Sequence, residues 1–297
     1  LAGLFWFTSA MALFGILLMA VWVPKPRQQL RHLDSGINRA ALGRVFADPQ
    51  LLRLDVGIFV LHALLMASFT VLPLVLVEQG GLPRDEHWWV YVIAMVTGFV
   101  LMVPFIIYSE KQRQLKNVFL GAIALVGLSQ LYFWWLGNSL LLLVLGAVLF
   151  FAAFNLLEAT LPSLVSKLAP AGAKGTAMGI YSTSQFMGAA VGGFLGGGLY
   201  TLGGNGAVFA GCAALAALWW VFAATMQEPP YVTSTRLTVG AATGPGDELL
   251  ARLRSQPGVM DALYVAEDAA VYVRFDNKVN EREQLQALLD SHQPATS

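Results

Sequence analysis

Long apolar segments separated by short polar ones dominate the first 230 residues of the chain. Crossing the hydrocarbon core of a bilayer takes roughly 20 helical residues, and seven of the apolar segments come close to that length. They lie at 1–23, 54–77, 88–108, 118–136, 140–166, 176–201 and 206–227. We therefore predict an all-α polytopic membrane bundle with seven spans.

A different pattern begins after Pro229 and Pro230. Side chains alternate between polar and apolar at 231–239, and strand-like runs follow at 259–266 and 269–275. A short amphipathic pattern at 247–256 and a second one after Asn280 have the period of a helix. The order β-α-β-β-α predicts a small α+β domain of the ferredoxin-like type at 231–297.

Basic residues in the connecting segments predict the orientation of the bundle. Eleven of the twelve Lys and Arg before residue 231 lie in 24–53 and in the loops near 109–117 and 167–175, and the twelfth is Arg84. Short loops rich in Lys and Arg stay on the cytoplasmic side. We therefore expect 24–53 and the tail domain 231–297 in the cytoplasm, with 24–53 forming a linker along the membrane interface.

Composition narrows the function classes. The chain is 57% apolar and 12% charged, and its net charge of zero divides into +3 before residue 231 and −3 after it. This balance offers no basic surface for nucleic acid. The single cysteine, Cys212, excludes a disulfide or a thiolate metal site within one chain. No nucleophile, phosphate-loop or metal-ligand motif is visible, so we expect no enzyme activity, catalytic residue, cofactor or metal.

A few polar side chains lie inside the predicted spans, where burial in hydrocarbon is costly. Glu158 is the only carboxylate well inside a span, His62 lies about two turns from the cytoplasmic end of its span, and Asn155 and Gln185 lie at bundle-interior depth. These four are candidates for a substrate or proton pathway, and the alternative is that they are hydrogen-bonded helix contacts. Asp55, two residues from Arg53, is interpreted as part of a charged helix end.

Glycines recur at three- and four-residue spacings in the predicted span 176–201 and just before it. The helix-packing candidates are Gly175, Gly179, Gly188, Gly192 and Gly196. Glycine at such intervals allows another helix to approach closely. The contact is either static or a surface on which helices slide during a conformational cycle, and the sequence leaves both open.

Several of these segments resemble a known family. GTAMGIYSTSQF at 175–186 with VGG at 191–193 resembles the eleventh helix of major facilitator superfamily transporters, and NLLEATLPSL at 155–164 resembles the tenth. Together with the tail, including VYVRFD at 271–276, the chain resembles the YajR-type transporters of that superfamily. YSEKQRQLK at 108–116 matches a family loop motif only in part, because Glu110 and Lys111 replace the usual Asp-Arg pair and the following Gly is absent.

The resemblance implies that 54–228 is the carboxy-terminal six-helix bundle, that 1–23 is the sixth helix, and that the chain is a fragment without helices one to five. It implies a secondary active transporter in the bacterial inner membrane, with proton-coupled efflux of a small molecule. The implied partners are that small molecule, protons, the lipid bilayer and the N-terminal half of the same protein. The alternative is a membrane-anchored sensor that acts through its tail domain.

Overall fold

The computed structural model describes residues 2–23, 39–170, 173–229, 231–238, 247–265, 270–276 and 279–290. The chain divides into two compact units, Leu1–Arg31 and His32–Ser297. The first unit contains α1 (Ala2–Trp22), whose 21 residues include no charged side chain. Its Thr8 hydroxyl donates to the carbonyls of Leu4 and Phe5, so this polar group is satisfied within the helix.

The second unit contains the remaining helices and the only sheet in the described ranges. The helices before residue 230 are α2 (Arg39–Ala47), α3 (Pro49–Glu78), α4 (His87–Lys111), α5 (Leu115–Leu136), α6 (Leu140–Leu168) and α7 (Lys174–Ala224), with a one-turn 3-10 helix at Arg84–Glu86. In the described part of the chain, six helices, α1 included, are long and apolar enough to cross a membrane.

The seven predicted spans and the six long helices differ at α7. This helix of 51 residues, Lys174–Ala224, includes the predicted span 176–201 and all of the predicted span 206–227 except its last three residues. Gly203 and Gly204 have non-helical backbone angles, and Gly204 has a φ of 64°, which glycine adopts at little cost. The glycine pair therefore divides α7 into a first arm, 174–202, and a second arm, 205–224.

The start of α3 also differs from the prediction, since the helix begins five residues before residue 54. Asp48 caps it by accepting hydrogen bonds from the amides of Gln50 and Leu51 at 2.7 and 3.2 Å, and Pro49 takes the first helical position. Hydropathy alone misses such a polar first turn. Of the predicted linker 24–53, residues 24–38 lie outside the described residues, 39–47 form α2 and 49–53 belong to α3.

Apolar side chains and close backbone contacts hold the bundle together. α3 packs on the first arm of α7, and α5 packs on the second arm through the stacked rings of Phe133 and Phe209, whose centroids are 5.3 Å apart. α4 packs on α6 at Gly98, where a Cβ atom would lie 2.7 Å from the backbone carbonyl carbon of Phe151. Glycine is therefore required at this crossing.

The tail contains the elements that the sequence predicts, in the predicted order. β1 (Val232–Thr238), α8 (Asp247–Arg254), β2 (Val259–Val265), β3 (Ala270–Asp276) and α9 (Arg282–Asp290) follow one another. The strands form an antiparallel sheet in the order β1-β3-β2. Leu237, Leu253, Val273 and Leu289 are fully buried between the sheet and its helices. The connections 239–246 and 266–269 and the last residues, 291–297, lie outside the described residues.

Candidate functional site

Three of the four predicted polar side chains meet between α3, α6 and the first arm of α7. The Gln185 Nε2 atom lies 2.9 Å from His62 Nε2 and 3.1 Å from Glu158 Oε1. The second Glu158 oxygen, Oε2, lies 3.9 Å from His62 Nε2. We call His62, Glu158 and Gln185 the central polar cluster.

The hydrogen bonds of the cluster indicate where its protons lie. The His62 Nδ1 atom is 3.3 Å from the carbonyl oxygen of Ile58, which only accepts, so Nδ1 is the donor in this contact. His62 Nε2 then accepts from the amide of Gln185. Because an amide nitrogen has two protons, the same Gln185 amide can donate to both His62 and Glu158.

One oxygen of Glu158 is left without a donor. Glu158 Oε2 is buried and has no hydrogen-bond partner among the described residues. The Glu158 side chain as a whole is 38% exposed and that of His62 is 12% exposed, so the cluster lies at the edge of the bundle surface and not in its interior. A buried carboxylate oxygen without a donor is energetically costly.

The cluster lies close to the middle of the three helices that build it. The midpoints of α3, α6 and the first arm of α7 fall near residues 63, 154 and 188. At 1.5 Å per residue, each side chain of the cluster starts within about 6 Å of its helix midpoint. If these helices span a bilayer, the cluster lies near the middle of the hydrocarbon.

Three predicted packing glycines set the distance between α3 and α7. They are Gly188, Gly192 and Gly196, and they contact Phe59, Ala63 and Ala67 in that order. A Cβ atom at Gly196 would lie 2.8 Å from the Ala67 Cα, and those at Gly188 and Gly192 would clash with backbone carbonyl oxygens. The two helices therefore run in the same direction at close backbone contact, which brings His62 within reach of Gln185.

The other two predicted glycines lie elsewhere. Gly179 has no atom within 4 Å of the position that a Cβ would take, and it is exposed. Gly175 is the second residue of α7 and is half-buried. The spacing of glycines along the sequence therefore does not show which of them contact another helix and which are exposed.

Asn155, the fourth predicted polar residue, lies outside the central polar cluster. It is three residues before Glu158 on α6, and its Nδ2 donates to the carbonyl oxygen of Met95 on α4 at 3.3 Å. This bond joins α6 to α4. The residue is half-buried, and a role of Asn155 in a substrate pathway stays a prediction.

Two further polar residues that sequence reasoning did not assign to the site, Tyr181 and Asp55, lie near the cluster. Tyr181 is 3% exposed, its hydroxyl has no hydrogen-bond partner in the described ranges, and it lies within electrostatic range of Glu158 and Asp55. Asp55 is 8% exposed, and Arg53 instead donates to Pro49 and Thr225. Asp55 is therefore a buried carboxylate near the first residues of α3, and its neighbour Arg53 donates to other groups.

Helical spacing is the signal that could have identified both residues. Tyr181 precedes Gln185 by four residues and Asp55 precedes His62 by seven, which places each pair on one helix face. Tyr181 and Asp55 therefore extend the polar cluster along the α3–α7 contact towards the first residues of both helices. Over the described ranges, no group of three His, Cys, Asp or Glu residues could hold a metal ion.

Comparison with known proteins gives one family. The sequence model of the Major Facilitator Superfamily matches residues 2–185 and 81–266. The chain is 43% identical over 282 residues to the inner membrane transport protein YajR of Escherichia coli, covering 95% of this chain and 62% of that protein. It is 27% identical over 165 residues to the multidrug resistance protein MdtH of Citrobacter koseri, covering 56% of this chain and 40% of that protein.

A third relative gives a similar picture. The chain is 31% identical over 222 residues to a protein named as an uncharacterized transporter in Buchnera aphidicola, covering 74% of this chain and 56% of the relative. The chain thus spans less than two thirds of the length of each of these relatives.

Proposed function

The chain belongs to the Major Facilitator Superfamily and is not an enzyme; from this premise we propose that it forms part of a proton-coupled secondary transporter that exports a small molecule across the bacterial inner membrane. The transporter class rests on the family. The proton coupling rests on the central polar cluster. The export direction is supported by the similarity to a protein named for multidrug resistance and by the resemblance of the helices at 155–164 and 175–186.

One observation supports proton coupling most directly. The Gln185 amide donates to two groups that can each take a proton, His62 Nε2 and the Glu158 carboxylate. Protonation of His62 Nε2 turns this atom from an acceptor into a donor, which breaks its bond with the Gln185 amide. The new donor lies 3.9 Å from Glu158 Oε2, the buried oxygen that has no partner among the described residues.

The expected consequence is a rearrangement between three helices. His62 belongs to α3, Gln185 to α7 and Glu158 to α6, so a new set of hydrogen bonds changes the contacts among all three. A protonation event shifts a conformational equilibrium only if the two states bind the proton differently. The change from an amide bridge to a direct His62–Glu158 contact provides such a difference.

Tyr181 and Asp55 support a route for the proton between the cluster and one membrane surface. Both are buried and both lie on the side of the cluster nearer the first residues of α3 and α7. The distribution of Lys and Arg predicts that this side is cytoplasmic. We therefore place the cytoplasmic access of the proton pathway along the α3–α7 contact.

The proposed orientation predicts the location of the loops and of the tail, and the resemblance to the YajR-type transporters implies the same location for the tail. Reporter fusions at Gly81, Asn138 and Gly204 are expected on the periplasmic side, and fusions at Gln112 and Ser297 on the cytoplasmic side. The reason is that eleven of the twelve basic residues before residue 231 lie in the segments predicted to be cytoplasmic. Alkaline phosphatase and fluorescent-protein fusions measure this directly, and a common side for both sets would contradict the orientation.

The transport proposal also predicts what this chain does alone. In the resembled fold the pathway runs between two six-helix halves, and the chain holds one such half in 54–228. Reconstituted alone into vesicles, the chain is therefore expected to give no flux above protein-free vesicles. Co-reconstitution with the half that the resemblance implies is expected to give proton-dependent flux of a substrate identified by screening.

The same experiment separates the transporter from a membrane-anchored sensor. A sensor would give no flux even when both halves are present and correctly inserted. Flux from the chain alone would mean that copies of this chain rebuild a pathway, and it would contradict the proposed division into halves.

A further inference from the structure

The tail domain contacts two turns of the bundle through the end of β3. At the α4–α5 turn, the Arg113 guanidinium donates to both oxygens of Asp276, at 2.9 and 2.5 Å. Such a two-point pairing of arginine with carboxylate is both strong and directional. The side chains are 27% and 19% exposed, so the pair is only partly open to solvent.

Arg274, two residues before Asp276 on the same face of β3, contacts the second turn. Arg274 donates to the backbone carbonyl of Ala169 at 2.9 Å and to that of Lys167, at the end of α6. Lys167 in turn pairs with Glu110 at the end of α4, with its Nζ 2.6 Å from the carboxylate. Two consecutive outward positions of one strand therefore bind the α4–α5 turn and the α6–α7 turn.

Tyr231, immediately before β1, completes the contact. Its hydroxyl accepts a hydrogen bond from the amide of Leu115 at 3.0 Å, which satisfies an otherwise free donor in the first turn of α5. The Arg113 guanidinium lies over the Tyr231 ring at 5.0 Å, within cation–π distance. The hydrogen bond to Asp276 raises the pKa of Arg113, and burial raises the pKa of Tyr231, so one stays charged and the other stays neutral.

The backbone of Arg113 adds an independent observation. Its φ is 54°, and no other non-glycine residue in the described ranges has a positive φ. Glycine takes this conformation at little cost, whereas a residue with a Cβ atom does so with strain, which persists where surrounding contacts require it. The resemblance leads us to expect a glycine in this turn, and the chain has none between 108 and 116. A glycine there could not reach Asp276.

We propose that the tail domain is a latch on its own bundle, in which Arg113, Asp276, Arg274 and Tyr231 hold the α4–α5 and α6–α7 turns in one arrangement. Charge balance agrees with this, because the tail carries a net charge of −3 and the preceding residues carry +3. Release of the latch frees the two turns to move relative to one another. This inference concerns tail and bundle contacts only, and it is independent of proton coupling.

Hydrogen exchange measured by mass spectrometry on the purified chain tests the latch. The peptides to follow cover 110–116 in the bundle and 270–276 in the tail. Asp276→Asn and Arg113→Gly are expected to increase exchange in both peptides by about tenfold, the effect of losing one charge-assisted hydrogen-bonded pair. The exchanged pair, Arg113→Asp with Asp276→Arg, is expected to recover most of the protection.

Two control measurements distinguish loss of the Arg113–Asp276 contact from general unfolding of the variants. Glu248→Gln breaks an exposed ion pair with Arg252 within the tail and is expected to leave both peptides unchanged. In the unmodified chain, raising the salt concentration from low to high is expected to increase exchange at the same two peptides, because salt screens the Arg113–Asp276 pair. Unchanged exchange in Asp276→Asn and at every salt concentration would overturn the latch, as would loss of protection throughout the bundle.

Discussion

Glu158→Gln is expected to abolish the proton dependence of transport while leaving the helices packed as they are. Glutamine has nearly the same volume as glutamate and still accepts a hydrogen bond from the Gln185 amide, which is 3.1 Å away. Glutamine cannot take up a proton. The variant therefore removes the carboxylate whose Oε2 atom lies 3.9 Å from His62 Nε2 and has no hydrogen-bond partner among the described residues. We therefore expect the variant to keep the fold but to lose the side chain at position 158 that can take up a proton.

The measurement is substrate accumulation in inverted vesicles that contain the transporter with both halves. One proton coupled to a gradient of one pH unit supports about tenfold accumulation, since a tenfold ratio of proton concentrations corresponds to about 1.4 kcal/mol. For Glu158→Gln we expect accumulation to fall towards the value without a gradient, about tenfold lower. Exchange of substrate without a gradient is expected to continue.

Glu78→Gln is the matched control for this variant. Glu78 is the last residue of α3, and its carboxylate accepts from Asn205 at 3.4 Å near the end of the bundle, far along the helix from His62. The same chemical change there is expected to leave the pH profile unchanged. An unaltered pH profile for Glu158→Gln, at equal protein level in the membrane, would make Glu158 a structural contact and refute its role in coupling.

Gly192→Ala is expected to destabilise the bundle strongly, although alanine normally favours a helix. The added Cβ would lie 2.5 Å from the Ala63 Cα and would clash with the Ala63 carbonyl oxygen. Backbone atoms cannot move aside as a flexible side chain can, so α3 and the first arm of α7 must separate. Overpacking of this kind typically costs about 1–3 kcal/mol or more.

Gly193→Ala, one position along, is the control. No atom lies within 4 Å of the position that its Cβ would take. Replacing a helical glycine by alanine without a clash is expected to be neutral or to stabilise by roughly 0.5–1 kcal/mol. Thermal unfolding in detergent, followed by helical circular dichroism, compares the two variants. Equal stability of Gly192→Ala and Gly193→Ala would contradict the tight α3–α7 contact.

The α3–α7 contact affects both the stability of the bundle and the geometry of the central polar cluster. The glycines bring the α3 and α7 backbones close enough for His62 Nε2 to lie 2.9 Å from Gln185 Nε2. The α3–α7 contact is either static or a surface on which the two helices slide during a conformational cycle. In either case, separating the helices is expected to break the central polar cluster before it unfolds the helices themselves.

Local patterns explain why much of the fold could be predicted from the sequence. Apolar length identified the helices, alternation identified the strands, and the tail order β-α-β-β-α is the observed one. The errors were local as well. Hydropathy missed the start of α3 at Pro49, because a polar first turn capped by Asp48 carries no apolar signal.

The candidate site was predicted one residue at a time and not as a site. Glu158, His62 and Gln185 were chosen because each is polar at bilayer depth, which is a property of a single position. Their meeting depends on how three helices are rotated about their axes. The same rotation excludes Asn155, which turns towards Met95, and brings Tyr181 and Asp55 into the neighbourhood.

The sequence by itself therefore determined the helices, the strands, the distribution of charge and the family, because hydropathy, periodicity and motifs are carried by neighbouring residues. Only the tertiary structure decided which polar groups are hydrogen-bonded to one another, which glycines contact a backbone, and that Arg113 pairs with Asp276. Gln185 lies 123 residues from His62, and Arg113 lies 163 residues from Asp276. Contacts over such separations follow from packing between helices and domains, and no local pattern records them.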